Sequence, residues 1–382
     1  MKRVLKVSVT VGALALAVVA SRQVGMTAPA RPVAPVFQYD LSWPKPLPND
    51  EVVGNVVGVA VDSKDNIWYA HRPASQTGAE KTPPAMLIDP AGNVIKTLTT
   101  ADNGGGKCQW GNQIHGLYVD YKDNVWIGFG GGLPYNPKEK ATYGNAHFLK
   151  FSPKGDCILQ IGEFGKGLEG SNSEKYLGQP TDVWVDPKTD EAYISDGYTN
   201  RRIIVVDANT GAYKRHWGAY GKKPDDAAGA AMPRFDRSAP MTSRTQFDTP
   251  HCIVGTDDGL LYVCDRGNQR IQVFKHDGTF VKEALISANV GNGVTGGTPW
   301  DIALSKDQKL IFLVDGGTHR VHTLARDTLE VVSTFGHRGR WAGEFESPHS
   351  IAIDSKGNLY VAETLDGRRI QRFLLKRKVS SN

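Results

Sequence analysis

Three histidines stand at one recurring position of this chain. His115 opens the apolar stretch HGLYVDYKDNVWIGFG, His251 opens HCIVGTDDGLLYVCD, and His349 opens HSIAIDSKGNLYVAE. Three imidazoles that converge on a point and leave one side open form a catalytic zinc site, with nitrogens about 2.1 Å from the metal. Imidazole also suits iron, copper and nickel. Two arginines share a second recurring position, Arg72 in AHRP and Arg266 in CDRG, and Tyr198 in SDGY lies one residue further along a third copy. A guanidinium presents a planar fork matched to a carboxylate. A tyrosine beside two arginines and a dication can serve as a general base, because positive charge favours phenolate.

For these residues to meet, the segments carrying them must be arranged around a common axis. The phrase DTPHCIVGTDDGLLYVCDRGNQRIQVF at 248–274 reads as short strands separated by Asp/Gly turns. It recurs from Gln179, Thr298 and Ser347, with looser copies near Val57 and His115, giving six in all. Repeats of roughly 40–50 residues with four short strands each predict an all-β, six-bladed β-propeller. Naming the strands of a blade a to d from the axis outward, the histidines open strand a of blades two, four and six. Val57, Thr181 and Trp300 hold the same position in blades one, three and five. Histidines on alternate blades lie about 120° apart around the axis.

The a–b and c–d turns are short. The long insertions, 73–84, 99–113, 129–146, 219–248 and 287–297, fall in b–c or d–a connections. In a meander those connections share one face, so the insertions are expected to rise from the face that carries the histidines, where function concentrates. Arg201, Arg202, Arg270 and Arg320 recur just before strand c and are expected to form salt bridges between blades.

Residues 1–20 have a basic start, an apolar core of 14 residues and small residues at the end, the pattern of a secretory signal peptide; an uncleaved anchor is the alternative. Residues 21–50 form a Pro/Ala-rich linker, and residues 51–378 the propeller. Within the linker, Phe37–Trp43 alternates like a strand. It is expected to supply the fourth strand of blade six and close the ring, covering exposed sheet edges. The net charge of +5 falls to +2 once Lys2, Arg3 and Lys6 are set aside, too little for a nucleic-acid footprint. Export to the periplasm or the exterior permits disulfides. Cys252 and Cys264 lie on adjacent strands of one hairpin and are the expected pair. Cys157 opens an outer strand beside a lower turn, which makes Cys108 a poor partner for it; free thiols are the alternative.

These motifs resemble NHL-repeat six-bladed propellers and, among them, the peptidyl-α-hydroxyglycine α-amidating lyase family. The similarity covers roughly residues 50–375 and is most specific in QPTDVWVDPKTDEAYISDGYTNRRI and TPHCIVGTDDGLLYVCDRGNQRIQVF. The resemblance implies zinc held by His115, His251 and His349, catalysis by Tyr198, and active-site arginines at Arg72 and Arg266. It also implies a structural calcium bound by the main-chain carbonyls at Val57 and Leu117 and by an acid after the third histidine, where this chain has Ser350. The cysteines of two disulfides in animal members fall on Gly178 and Thr199 and on Tyr262 and Val273, and the animal copper monooxygenase domain has no counterpart in these residues. The implied reaction cleaves an N-acyl-α-hydroxyglycine, small or peptidyl, to a primary amide and glyoxylate. Two other readings are a lactonase-like metal hydrolase, which ordinarily uses carboxylates and Asn, and a non-catalytic binding propeller, which needs no histidine triad.

Overall fold

The computed structural model describes residues 33–130, 145–166, 169–233, 235–236, 238–286 and 297–378. The expected signal peptide, part of the linker, and most of the insertions 129–146 and 287–297 lie outside them. The described residues form six four-stranded antiparallel sheets, each running from an inner strand a to an outer strand d. The inner strands are Asn55–Val61, Ile114–Val119, Pro180–Val185, Pro250–Gly255, Asp301–Leu304 and Pro348–Ile353. Apolar side chains fill the spaces between neighbouring blades. Ala60, Leu87 and Leu98 of blade one, for example, pack with Leu117, Ile127 and Phe151 of blade two.

The ring closes as the alternation in the sequence suggests, two residues earlier than expected. Pro35–Tyr39 pairs with Arg369–Lys378 as the outer strand of blade six. Phe37 packs on Phe312 and Phe335 of blade five. Trp43 lies beyond the strand and seats its ring 5.0 Å from that of Tyr360. At the a–b turns, the carboxylates of Asp62, Asp120 and Asp354 accept the backbone N–H groups two and four residues on. Ser355 donates to Asp65 and Ser63 to Asp123, so these turns tie blade six to one and one to two.

Two expectations are corrected. Both cysteine pairs are bonded: Cys252–Cys264, and also Cys108–Cys157 with Cα atoms 6.4 Å apart. Sheet twist swings the outer strands across the axis direction. It brings the c–d turn of blade two against the end of blade one's outer strand, where a Cβ on Gly155 would meet Leu98 at 3.3 Å. The 99–113 insertion therefore does not simply rise from the upper face. It follows this seam, with Trp110 packed on Phe129 and Phe151, and reaches Cys157.

The arginines before strand c pair mainly within their own blades. Each sits in register with the acid that ends strand b: Arg202 with Asp196 at 2.9 Å, Arg270 with Asp265 at 2.7 Å, and likewise Arg369 with Glu363. Arg320 stands opposite Asp315 in the same register. Arg201 reaches out of its blade, donating to Phe247 O at 2.7 Å.

Candidate metal centre

The histidine position is a β-bulge. In blade four Pro250 pairs with Asp265 and Cys252 with Cys264, leaving His251 as the extra residue. The same shift brackets Val57, Thr181 and His349 and falls within Ile114–Leu117. A bulge re-aims a side chain and releases the unpaired residue from the ladder. The repeat therefore turns this residue toward the channel in successive blades.

The released carbonyls complete the arrangement. His115 Nδ1 lies 3.1 Å from Thr181 O, His251 Nδ1 2.5 Å from Trp300 O, and His349 Nδ1 2.8 Å from Val57 O. A carbonyl can only accept, so each Nδ1 carries the proton and each Nε2 presents a lone pair. The three imidazoles are buried, and their ligand atoms lie within 4.8 Å of one another. Burial pushes all three below the ordinary histidine range. His115 is lowered further by His349 and Arg72, His251 further by Arg266 and His115, and His349 falls to about 3. Neutral, oriented imidazoles with carbonyl partners on the far nitrogen are what a divalent metal requires. The three residues can hold one, and the donor set does not select among zinc, iron, copper and nickel.

The other predicted residues gather at the same place. Tyr198 Oη lies 2.9 Å from His115 Nε2 and 3.4 Å from His251 Nε2, and accepts from Arg266 Nη1 at 3.1 Å. Since His115 Nδ1 holds its proton, the phenol donates to Nε2. Arg72 donates from Nε to Ile114 O at 2.7 Å, and burial lowers its pKa.

Beneath the imidazoles is a cavity of about 20 Å³, room for a single small occupant, bordered by Val57, Leu117, Asp182, Asp301 and Ser350. Asp182 accepts the N–H of Ile253, Asp301 that of Ile351, and Ser350 Oγ that of Val59. Each stitches its inner strand to the next blade. Burial raises both carboxyls; Asp301 also raises Asp182, and Asp301 itself stands at about 6. Ser350 thus does between blades six and one what the aspartates do elsewhere. The carbonyls assigned to calcium by resemblance border this space, but Val57 O is already engaged by His349.

The sequence reading missed three contributors. Asp182 and Asp301 were legible as acids one residue after the repeated position. The carbonyls of the odd blades carry no side-chain signal. Trp300, read only as a non-histidine, packs its ring 5.4 Å from that of His349.

Comparison with known proteins fits this geometry. An NHL repeat model matches residues 247–274, the stretch that carries His251 and Arg266. The chain is a six-bladed β-propeller that carries an NHL repeat in blade four. It is 26% identical over 356 residues to NHL repeat-containing protein 3 of Mus musculus, covering 89% of this chain and 84% of that one. It is 25% identical to peptidylglycine alpha-amidating monooxygenase of Rattus norvegicus, covering 85% of this chain and 31% of the relative. Identity is also 25% with peptidyl-alpha-hydroxyglycine alpha-amidating lyase 1 of Drosophila melanogaster, at 88% and 60% coverage. The propeller thus spans less than two thirds of these amidating relatives. Among solved structures, a streptogramin B lyase superposes with a TM-score of 0.52 at 12% identity, over 89% of this chain and 98% of that one, a likeness of fold.

Proposed function

We propose that the site is a metal-dependent lyase centre that converts an N-acyl-α-hydroxyglycine into a primary amide and glyoxylate. The observation that carries this reading is the convergence of three neutral imidazoles with Tyr198 and Arg266 at one mouth of the channel. The amidating relatives support the same class.

His115, His251 and His349 would hold the metal, with zinc proposed, and the ion would supply Lewis acidity that lowers the pKa of the substrate hydroxyl. Arg266, with Arg72 beside it, receives the substrate carboxylate and fixes the α-carbon against the tyrosine. Tyr198, acting as its phenolate once its own proton has left, takes the hydroxyl proton. The oxygen's electron pair forms the C=O bond of glyoxylate as the C–N bond breaks, and that bond's pair goes to the amide nitrogen. The proton held by Tyr198 passes to this nitrogen, so no water, oxidant or reductant is consumed. The buried, threefold-braced site keeps the donors preorganised. Calcium in the cavity below, if bound, would be structural. The two disulfides support an exported protein in an oxidising compartment.

The test is glyoxylate release from α-hydroxyhippurate by the zinc-loaded protein and by Tyr198→Phe. Loss of a proton-transfer group should lower kcat by about 10²–10⁴-fold. No release from the folded, metal-loaded wild type would overturn the reading and bring the hydrolase and binding alternatives forward.

A further inference from the structure

Arg266 and Arg270 are four residues apart and are held in opposite ways. Arg270 is buried between carboxylates, with Nε 2.7 Å from Asp265 and Nη1 3.1 Å from Glu283. Arg266 has no carboxylate in ion-pair reach among the described residues. Its Nη1 donates to Tyr198 Oη, and its Nε is buried without a partner. Its guanidinium carbon lies 5.1 Å from the Tyr198 ring centroid and 5.2 Å from that of Trp300. A guanidinium lodged between two aromatic rings, with no internal anion and with a buried donor to spare, is built to receive an anion from outside.

We infer that Trp300 is the positioning residue that holds Arg266 for this purpose, and that it thereby sets the preference of the site for a carboxylate over a neutral amide. Trp300 braces Arg266 at both ends. Its ring supports the guanidinium by a cation–π contact. Its Nε1–H donates to Gly297 O at 2.8 Å, and the next residue, Thr298, donates its N–H to Arg266 O at 3.1 Å. Gly297 has φ +73°, and a Cβ there would meet Arg266 O at 2.2 Å, so this close approach is restricted to glycine. The main chain of Trp300 also serves the centre, because its carbonyl orients His251. One residue therefore couples the metal-facing imidazole to the anion-facing arginine, the first through its carbonyl and the second through its side chain. Only the second link can be removed by substitution.

The inference deepens the lyase reading and rests on it for the identity of the anion. The experiment measures calorimetric binding of N-benzoylglycine and of its neutral amide to zinc-loaded wild type, Trp300→Leu and Trp300→Phe, together with glyoxylate release from α-hydroxyhippurate and metal content. Trp300→Leu should lose about thirtyfold in affinity for N-benzoylglycine, the scale of a desolvated cation–π contact. Its binding of the amide and its metal content should not change, and KM should rise more than kcat falls. Trp300→Phe keeps an aromatic face and should recover most of the affinity. Folded Trp300→Leu that binds the carboxylate as wild type does, or wild type that does not distinguish carboxylate from amide, overturns the inference. Trp300-dependent carboxylate binding without glyoxylate release would uphold it and sink the lyase reading. Glyoxylate release with an unchanged KM in Trp300→Leu would do the reverse.

Discussion

The even and the odd blades share one position at the start of the inner strand and use it differently. Blades two, four and six place a histidine there. Blades one, three and five contribute the carbonyls of Val57, Thr181 and Trp300, each of which accepts the Nδ1–H of the histidine in the preceding blade. A sixfold scaffold thus becomes a threefold site by alternating side chain and main chain. In the even blades the residue type is indispensable. In the odd blades only the backbone position matters for orienting imidazole, and the side chain is free to pack, as Val57 does, or to brace Arg266, as Trp300 does.

The largest effect that would separate the two sets is on metal binding. His115→Ala should lower metal affinity and activity by more than about a hundredfold, beyond the range seen for partners of metal ligands, while the propeller stays folded. Metal analysis and circular dichroism check both halves, and full activity in this variant would remove the metal centre from the account. An odd-blade truncation should behave in the opposite manner. Val57→Ala empties part of a packed interface and should cost about 1–3 kcal/mol in denaturant unfolding. Because the carbonyl remains, metal affinity should stay within about threefold of wild type, far short of the tenfold or more that follows loss of a ligand's hydrogen-bond partner. A larger fall would mean that the side chain matters to the site.

The smallest effect is on pH dependence. The buried histidines bind protons less readily in the folded than in the unfolded chain; for His349 the folded value is about 3 against an ordinary 6.5. The unfolded state therefore takes up more protons as pH falls below 6.5, and the metal-free protein should lose stability through the interval down to about 3. Asp182 and Asp301, raised by burial, act with the opposite sign. The histidine contribution is accordingly the difference between metal-free wild type and His349→Asn, and thermal melts at several pH values between 7 and about 4 would measure it. Equal slopes for the two proteins would show that His349 does not titrate in the manner assigned.

Much of this could be read from the chain. The repeated DxKDN and D(R/G) phrases fix turns and strand ends through local chemistry: an aspartate accepting nearby N–H groups, and a carboxylate in register with an arginine. Those interactions span a few residues, so they leave a motif. The pairing of Cys108 with Cys157 does not, because it depends on the twist that carries one blade's outer strand against the next. Arg201 likewise bonds a residue 46 positions away, Phe247, through a connection whose path no local pattern sets.

Repeat number, the position of the three histidines and the type of chemistry open to them were determined by the sequence, because the repeat returns one position in every blade and histidine fills it in alternate blades. The tautomer of each imidazole, the freedom of Arg266 where Arg270 is neutralised, and the assignment of Trp300 as its support were decided only in the tertiary structure. They depend on which backbone carbonyl or ring from another blade stands beside each group, and side-chain identity does not encode that distance.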